Sequence, residues 1–550
     1  MSINTTGSGL AAFATKPLNR RSFLGFIGAG AAVVALAGCS TGTSGIAAGI
    51  ASAEDIAGVI PNYYPIDFAV PDLASVNGST AGYLKLPVDL LKSVAKVPGS
   101  GGSYTALSPA WWTIPSSNND YFKAVNKELG ATIKFQVSDG NTYGEKIQAV
   151  LASPKNVPDM VVIPSWNLPP KFDQAVGALF ADLSPYLAGD KVKDYPNLAN
   201  IPTDAWKYSV FEGKLYGLPY PGEVIQNAFF YRKDIFDELG LPLPTDAASF
   251  IEILTEATDA SQNRWGSDDL WNAGQIMFGV PDKWALVDGK LVHKFETEQY
   301  REALDWLTRL FKSGAVHPDA MAGNDQQANS RYEAGNTLVK SDGVGGWAES
   351  LARVLPSNPS YNTQAMDFFA ADGGDPTLLK GNPTTIFSFI KKSADEKAIK
   401  EMLAVANFAA APFGTAEYQL LNSGVQGTHY DLDANGAPVL NAKGQAEVTS
   451  TYSFLVHPPV VQAHVEYPQF VTDYCGWSAR MSAFAADPVL YGVQIQEPAK
   501  FGSLGSPFDD LKADVANGRK ELSALDDAIK TWKSNGGDEL RKFYQKYLDA

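Results

Sequence analysis

The chain has 550 residues and carries a formal net charge of −16 at pH 7. A chain of this length exceeds what one hydrophobic core can organise, so we expect two or more domains. Hydrophobic residues make up 45% of the chain and aromatic residues 11%, which is enough to fill sizeable cores. The acidic surface repels phosphate backbones, which argues against a nucleic-acid partner. Such a charge is typical of a soluble secreted protein.

The N-terminus has the pattern of an export signal. Arg20 and Arg21 precede an apolar stretch over residues 23–37, and the segment ends in Leu36-Ala-Gly-Cys39. The apolar stretch is shorter than the roughly 20 residues of a membrane-spanning helix. A basic head, an apolar stretch and a small-residue cleavage site are typical of a secretory signal. We therefore predict a signal peptide over residues 1–38; the alternative is an ordinary apolar helix.

The same segment predicts where the protein works. The paired arginines resemble a twin-arginine signal, and the Leu-Ala-Gly-Cys ending resembles a lipoprotein box, in which the cysteine is acylated. These resemblances imply lipidation of Cys39 and a location on the outer face of the bacterial cytoplasmic membrane. The chain has two cysteines, so lipidation of Cys39 leaves Cys475 without a disulfide partner, unlike many exported proteins. We interpret Cys475 as a buried small residue rather than a catalytic thiol.

The remaining chain alternates between predicted strands and helices. Residues 39–60 are rich in small residues and predict a flexible tether, and residues 61–103 are rich in Pro and Gly and predict an extended segment. The alternation of β and α elements that follows predicts an α/β fold with an open parallel sheet covered by helices. The predicted elements are a helix over 120–129 capped by Asn119 and stopped by Gly130, a strand over 133–137, a helix over 143–152, a strand over 160–163, a strand over 385–390, a helix over 394–410, and two helices over 522–548 broken at Gly536-Gly537.

Four segments together resemble a known family. They are a Val-Pro-Asp strand at 157–162, a Gly-Lys-x-Tyr-Gly stretch at 212–220, a Tyr-Arg-Lys-Asp helix at 230–240, and Gly-Gly-Trp at 345–347. In this order they resemble extracellular solute-binding lipoproteins of ATP-driven sugar importers, the group that includes maltose-binding protein. Residues 424–430 and 536–547 resemble a branch of long lipoproteins that serve oligosaccharide importers. That branch usually has Glu where this chain has Gln426.

The resemblance implies a two-lobed periplasmic-binding-protein-like fold, in which parallel-sheet lobes are joined by a hinge and close over a ligand. It implies a carbohydrate ligand, permease subunits as partners and a membrane contact through the lipid anchor. We also expect a monomer with no cofactor and no metal. The implied lobes are discontinuous: residues 104–222 and 381–480 form the first lobe, and residues 223–380 and 481–550 form the second.

Binding a sugar requires aromatic platforms for its apolar face and amides or carboxylates for its hydroxyls. Tryptophans that follow predicted strands are candidates, because ligands in open α/β sheets bind at the carboxyl ends of strands. The aromatic candidates are Trp111, Trp112, Trp166, Trp271 and Trp347, each with core packing as the alternative. The polar candidates are Asn167, Glu223, Asn227, Gln275, Glu349, Gln426 and His429, with a solvated loop as the alternative.

Two other functions were weighed against sugar binding. An exported glycosidase or lyase needs facing carboxylates, which a sequence rich in acids does not exclude, but no Gly-x-Ser-x-Gly or zinc-helix pattern is present. A peptide or acidic ligand would favour a basic cleft, which the net charge does not suggest. The Asp431-x-Asp433-x-Asn435-Gly436 stretch resembles the start of a calcium loop, but its twelfth position is Ala442 where Glu is needed. We therefore predict a β-hairpin turned at Asn435-Gly436.

Overall fold

The computed structural model describes residues 53–169, 172–392, 394–495 and 497–549. The predicted signal peptide, the lipidation site Cys39 and most of the predicted tether lie outside these residues. Within the described ranges, no helix combines the length and apolar character needed to cross a membrane. The described chain contains two large sheets, each with its own hydrophobic core, and these define two lobes.

The first sheet has five strands. Their order across the sheet is Thr132–Asp139, Ser103–Ala110, Met160–Pro164, Thr384–Ile390 and Gly217–Pro221. The first three strands are parallel to one another, whereas Thr384–Ile390 is antiparallel to both of its neighbours. Helices cover the two faces of this sheet with apolar side chains. The main ones are Asp120–Leu129, Tyr143–Leu151, Phe172–Leu179, Glu396–Ala409 and Ala416–Ser423.

The second sheet has four strands. Their order is Thr363–Ala365, Asn227–Arg232, Thr337–Gly343 and Trp265–Ser267. Asn227–Arg232 is antiparallel to both neighbours, and only the last pair is parallel. The helices packed around this sheet are Lys233–Leu239, Ala247–Ala257, Trp271–Met277, Glu298–Lys312, Gly346–Val354 and Pro468–Ser482.

Strand direction is where the prediction of parallel sheets needs correction. The α/β class and the two lobes are confirmed, but both sheets are mixed. Thr384–Ile390 enters the first sheet from the second lobe. Its first residue therefore lies at the edge where the parallel strands end, and it must run against them. Gly217–Pro221 leaves toward the second lobe and ends at that same edge.

Two segments connect the lobes side by side, and we call them the crossing segments: residues 222–226 and residues 380–383. The Gly222 N–H donates to the carbonyl of Pro383 at 3.0 Å, and the Gly381 N–H donates to the carbonyl of Val224 at 3.1 Å. A Cβ on Gly222 would lie 2.2 Å from the carbonyl oxygen of Asn382. Glycine at position 222 therefore permits the close approach of the two crossing segments.

The helix Pro468–Ser482 corrects one predicted lobe boundary. The sequence predicts that residues 381–480 belong to the first lobe, but Phe470, Tyr474 and Trp477 of this helix are buried in the core of the second. Cys475 lies on the same helix, is buried, and has a pKa that burial raises to about 11. A thiol with that pKa is almost entirely protonated at neutral pH, which agrees with a packing role.

The C-terminal part of the chain adds a third hydrophobic cluster. The helices Ser506–Ala516, Ala524–Trp532 and Asp538–Asp549 pack with the hairpin formed by Trp284–Val287 and Lys290–His293. The predicted break at Gly536-Gly537 is confirmed, because residues 533–537 interrupt the last two helices and Gly536 has a φ of 128°. That positive φ is accessible to glycine at little cost.

The remaining elements are short. The hairpin Tyr430–Leu432 and Pro438–Leu440 is antiparallel, and its Asp433 carboxylate accepts the backbone N–H groups of Asn435 and Ala437 at 2.8 Å. The hairpin prediction for this stretch is confirmed. The other short strands pair as Ala81–Gly82 with Val461–Gln462, Val210–Phe211 with Lys214–Leu215, and Leu378–Leu379 with Ala485–Ala486. The other short helices are Ala53–Val59, Ser184–Leu187, Pro196–Ala199, Thr203–Lys207, Pro318–Met321, Ala328–Glu333 and Ala442–Glu447.

Candidate functional site

Five aromatic side chains meet at the edge of the first sheet that adjoins the crossing segments. Trp111 and Trp112 follow the strand Ser103–Ala110, and Trp166 follows the strand Met160–Pro164. Tyr220 lies near the end of the strand Gly217–Pro221, and Phe454 precedes the short strand Val461–Gln462. We call these five residues the aromatic ledge.

The ledge is continuous and open to solvent. The ring centroid of Trp111 lies 6.0 Å from that of Trp166 and 6.1 Å from that of Phe454. Phe454 lies 5.6 Å from Trp112 and 6.2 Å from Tyr220. Trp111, Trp112 and Trp166 are 42%, 37% and 63% exposed, whereas a tryptophan that served only the core would be buried. Their exposed faces can therefore contact a ligand.

Local contacts hold two of these indoles in place. A Cβ on Gly140 would lie 2.3 Å from the ring of Trp111, so the absence of a side chain at that position lets the indole lie against the backbone. The indole N–H of Trp112 donates to the hydroxyl of Thr449 at 3.0 Å. Both rings are therefore partly ordered before a ligand arrives, which lowers the entropy cost of binding.

Asn167 lies beside the ledge with an unpaired acceptor. Its side chain is half-buried, and its Oδ1 has no hydrogen-bond partner among the described residues. Its Nδ2 lies 2.9 Å from where a Cβ on Gly144 would be. A buried amide oxygen normally has a donor, so a ligand hydroxyl or a water molecule can satisfy it.

Glu223 lies on the first crossing segment and is half-buried. Its Oε1 accepts a hydrogen bond from the hydroxyl of Tyr474 at 2.8 Å, which ties the crossing segment to the second lobe. Burial raises the pKa of Glu223 to about 7, and the hydrogen bond from Tyr474 opposes only part of that rise. The carboxyl group is therefore close to half-protonated at neutral pH.

His457 stacks on the ledge from below. Its ring lies 4.3 Å from that of Tyr220 at an interplanar angle of 24°. Burial lowers the pKa of His457 to about 4, and its Nδ1 lies 2.8 Å from the carbonyl oxygen of Pro458. The imidazole is consequently neutral at pH 7 and adds no positive charge to the ledge.

We expect Glu223 to make the free energy of unfolding fall as pH rises from about 4.5 to 8. Its folded-state pKa of about 7 exceeds the ordinary value of 4.5, so its stabilising contribution is complete below pH 4.5 and is lost as pH rises through 7. The difference between these two pKa values corresponds to about 3 kcal/mol of stability. Urea unfolding of the protein and of Glu223→Gln across this range measures it.

The control for this experiment is Glu349→Gln, since Glu349 is an exposed glutamate paired with Arg353 at 3.5 Å. We expect the Glu349 variant to follow the parent protein at every pH. A constant difference between parent and Glu223→Gln over the whole range would contradict a raised pKa.

A polar cavity of about 510 Å³ adjoins the crossing segments, since Gln226 and Asn382 are among the residues that line it. It is lined by Tyr208, which packs on the first sheet, and by residues of the second lobe, so it lies between the lobes. Two predicted site residues, Asn227 and Gln275, line it. The amide side chains in its wall are those of Gln226, Asn227, Asn272, Gln275 and Asn382. Amides in such number suit the hydroxyl groups of a carbohydrate.

The prediction for Trp347 is wrong, because this indole belongs to the core. Only 2% of Trp347 is exposed, and its indole N–H donates to the carbonyl of Thr363 at 2.9 Å. Its ring is enclosed by those of Phe230, Phe470 and Tyr474. A platform needs a free face, and Trp347 has none. The nearby Glu349 is exposed and contacts Arg353, with no described contact to the ledge or the polar cavity.

His429 is also a structural residue. It is fully buried; its Nδ1 accepts the backbone N–H of Val425 at 3.0 Å, and its Nε2 lies 3.3 Å from the carboxylate of Glu447. These contacts hold the 424–430 turn, and they leave no ring nitrogen for a ligand. Gln426 is exposed on that turn, and its described contact is a backbone bridge to Tyr430.

Trp271 lies on the second lobe, away from the other tryptophans of the prediction. It is half-buried, packs edge-on against Tyr300 with ring centroids 5.3 Å apart, and lines a cavity of about 370 Å³. Lys512 lies 6.0 Å from its ring centre. The exposed part of Trp271 can therefore contact a ligand from the second lobe.

Four residues of the site are not predicted from the sequence: Tyr220, Phe454, His457 and Tyr474. Tyr220 lies within the 212–220 motif that resembles the family. Its position directly before a crossing segment was the one feature of the sequence that could have indicated a role in the site. Phe454 and His457 gave no signal, because their roles come from rings that lie more than two hundred residues away in sequence. Tyr474 was hidden for the same reason.

The fold and site define a class of protein: two α/β lobes, joined by paired crossing segments, with aromatic and amide groups between them. Comparison with known families agrees with this class. The family described as bacterial extracellular solute-binding protein matches residues 89–412, which is more than half of the chain. The chain belongs to this family.

The individual proteins that resemble this chain have low sequence identity to it. The chain is 26% identical over 468 residues to lipoprotein LipO of Bacillus subtilis, covering 79% of this chain and 90% of LipO. It is 23% identical over 303 residues to the polygalacturonan/rhamnogalacturonan-binding protein YtcQ of the same organism, covering 52% of this chain and 58% of YtcQ. The solved structure of alginate-binding protein AlgQ2 without calcium ion superimposes with a TM-score of 0.61 at 13% identity, covering 83% of this chain and 100% of AlgQ2. The last comparison shows the fold.

Proposed function

We propose that this protein captures an extracellular oligosaccharide between its lobes and delivers it to the permease of an ATP-driven importer. The observation that carries the proposal is the aromatic ledge: three exposed tryptophans at the carboxyl ends of two strands, next to a half-buried carboxyl group. Exposed indoles provide the flat apolar surface that a sugar ring needs. Two relatives are named for binding polygalacturonan/rhamnogalacturonan and alginate, which supports a carbohydrate ligand.

The proposed ligand-binding residues follow from the geometry. The first lobe contributes the ledge, Asn167 and Glu223, and the second lobe contributes Asn227, Gln275 and the exposed part of Trp271. Closure of the lobes over the ligand would bring the two sets together, because a ligand that contacts both lobes favours the closed form. Scattering measurements with and without ligand would detect the change in dimensions.

Binding without catalysis is part of the proposal. A glycosidase needs two carboxyl groups about 5–9.5 Å apart around the scissile bond. The segments that build the ledge and the first crossing segment are residues 107–116, 160–168, 217–227 and 449–462, and Glu223 is the single acidic residue in them. These four segments therefore do not supply the second carboxyl group that this mechanism needs. Release of shorter sugars during incubation with an oligosaccharide would favour the enzyme alternative.

The lipid anchor is proposed from the sequence and from the name of the relative LipO. A signal over residues 1–38, acylation at Cys39 and a tether to about residue 60 would hold a monomeric binding protein close to its permease. Replacement of Cys39 by Ser is the direct test, since an unacylated protein would leave the membrane fraction.

We expect Trp166→Ala to weaken oligosaccharide binding by about 1–3 kcal/mol, because it removes the most exposed platform of the ledge. Calorimetric titration with the neutral tetrasaccharides maltotetraose, galactotetraose, mannotetraose and xylotetraose measures the change. The control is Tyr63→Ala, which removes an aromatic side chain of similar exposure, 47%, outside the ledge. Equal losses in both variants, or none in Trp166→Ala, would contradict a ligand-binding ledge.

A further inference from the structure

We infer that this site selects neutral oligosaccharides and rejects chains of uronic acids, with Glu223 as the discriminating residue. The inference rests on the proposed function and specifies its substrate class. It separates this chain from the relatives named for polygalacturonan and alginate, since both of those polymers carry a carboxylate on their sugar units. The inference rests on the charges around the ledge, in the polar cavity between the lobes and in the second-lobe cavity beside Trp271.

The segments that carry the ledge and the first crossing segment supply one carboxyl group and no cationic side chain. Residues 107–116, 160–168, 217–227 and 449–462 contain Glu223 and neither lysine nor arginine. His457, the nearest imidazole to the ledge, is neutral at pH 7 because burial lowers its pKa to about 4. Carboxylate ligands are normally held by arginine or lysine, and a uronate lying on these tryptophans would meet neither from these segments.

Glu223 is positioned to act on the charge of a ligand. It shares the crossing segment that leads from Tyr220, and the carboxylate raises the pKa of the Tyr220 hydroxyl, in addition to the larger effect of burial. One carboxyl oxygen is occupied by Tyr474 at 2.8 Å. In a half-buried site the repulsion between two carboxylates is screened less than in water, so a uronate next to Glu223 is disfavoured whenever Glu223 is ionised.

The polar cavity supplies no excess of positive charge to compensate. Of its three lysines, Lys283 is paired with Glu497 and Lys380 is paired with Asp487 at 2.7 Å. The third, Lys294, shares the lining with Asp282. The lysines are therefore matched in number by nearby carboxylates.

The cavity beside Trp271 has no excess of positive charge, because Asp268 is paired with Arg331 and the other two aspartates in its wall are paired with its two lysines. It is lined by three aspartates and two lysines, which are Asp268, Asp269, Asp342, Lys340 and Lys512. Lys340 bonds Asp342 at 2.7 Å, and Lys512 lies 3.5 Å from Asp269. A polyuronate would consequently gain no favourable charge contact from this side of the second lobe either.

Among the groups that face Glu223, Glu223 itself is the one that changes its charge near pH 7. Tyr220 and Tyr474 have pKa values raised by burial and stay neutral in the physiological range. The hydroxyl of Tyr474 also interacts with the side chains of Thr80 and Gln462, which do not titrate. On the second crossing segment the charged residue is Lys380, already paired with Asp487. Protonation near pH 7 therefore changes the charge at Glu223.

The test compares one neutral tetrasaccharide with its own uronate. The tightest ligand among maltotetraose, galactotetraose and mannotetraose is oxidised at its C6 hydroxymethyl groups to carboxylates, and both forms are titrated at pH 8 and pH 5.5. Tetragalacturonate and tetramannuronate serve as further acidic probes. We expect the neutral form to bind at least 30-fold more tightly at pH 8, and this ratio to shrink at least fivefold at pH 5.5, where Glu223 is protonated and uronates remain ionised.

Two variants assign the discrimination to the carboxylate. Glu223→Gln removes the charge with little change of shape, and we expect it to show at pH 8 the smaller ratio that the parent shows at pH 5.5. Tyr474→Phe keeps the carboxyl group but removes the hydrogen bond that lowers the pKa of Glu223, so we expect it to keep the discrimination and to lose it at a higher pH than the parent protein does.

Equal or tighter uronate binding at pH 8 would overturn the inference and leave the proposed function intact. Full discrimination in a folded Glu223→Gln protein would overturn the role of Glu223. If that variant does not fold, the parent protein alone gives the test. A ratio of neutral to uronate affinity that is the same at pH 8 and pH 5.5 would also overturn the role of Glu223. Failure of every neutral and acidic tetrasaccharide to bind would instead overturn the proposed function, and the inference with it.

Discussion

Trp347→Ala is expected to lower the free energy of unfolding by about 3–5 kcal/mol, because it leaves a large cavity in the core of the second lobe. Only 2% of this indole is exposed, and its N–H is bonded to the carbonyl of Thr363. The substitution removes ring contacts with Phe230, Phe470 and Tyr474 and leaves that carbonyl without its donor. Urea unfolding monitored by circular dichroism measures the loss.

Trp166→Ala is the matched control, since it truncates the same residue type at 63% exposure. We expect its free energy of unfolding to stay within about 0.5 kcal/mol of the parent value, as for other surface substitutions. The two variants should thus separate stability from binding: Trp347→Ala loses stability and Trp166→Ala loses affinity. A stable Trp347→Ala protein with weakened sugar binding would reverse the assignment and return Trp347 to the ligand site.

Arg331→Met is expected to cost about 3–5 kcal/mol of stability, because it leaves the carboxylate of Asp268 buried without its partner. The guanidinium of Arg331 binds Asp268 through two hydrogen bonds, Nε to Oδ2 at 2.8 Å and Nη2 to Oδ1 at 3.0 Å. Both side chains are less than 10% exposed, at 7% and 5%. Asp268 directly follows the strand Trp265–Ser267, so the pair also fixes the turn that leads to Trp271.

The control for the buried pair is Arg353→Met. Arg353 pairs with Glu333 at 2.7 Å, but its side chain is 44% exposed, and exposed pairs contribute about 0–1 kcal/mol. A double variant, Asp268→Leu with Arg331→Met, should recover much of the loss, since it removes both buried charges. Equal and small effects at both arginines would contradict the importance of burial at Asp268.

The two lobes are connected by more than the crossing segments. Glu223 accepts from Tyr474, whose helix packs into the core of the second lobe together with Trp347. The discriminating carboxyl group is therefore supported by the same aromatic cluster that stabilises the second lobe. For this reason Trp347→Ala can change the pH dependence of ligand selection without any contact between Trp347 and the ligand.

The sequence predicted local structure correctly where residues close together in the chain determine it. The helix predicted over 120–129 is Asp120–Leu129, with the Asn119 side chain accepting the N–H of Phe122 and Gly130 at a φ of 62°. Cap, amphipathic face and stop lie within a dozen residues, so no distant contact is needed to specify them. The hairpin at 430–440 and the break at 536–537 were predictable for the same reason.

The tryptophans show where that reasoning ends. Trp166 and Trp347 both follow a strand and a turn, and their neighbours in sequence do not distinguish them. Trp347 is enclosed by Phe470 and Tyr474, which lie on a helix more than a hundred residues later, whereas Trp166 is 63% exposed beside Trp111. Exposure depends on which distant side chains cover a residue, and that is a property of packing.

The sequence by itself determined the class of fold, the helices with their caps, the family, and the position of three ledge tryptophans at strand ends. Only the tertiary structure decided which tryptophans stay exposed, that Phe454 completes the ledge, and that Thr384–Ile390 runs antiparallel. It also decided that Glu223 is half-buried, and this burial raises its pKa to about 7 although the hydrogen bond from Tyr474 opposes the rise. The physical reason is common to all of these: caps and periodicity act over a few residues, whereas burial, strand direction and charge environment are set by segments that meet only in the folded chain.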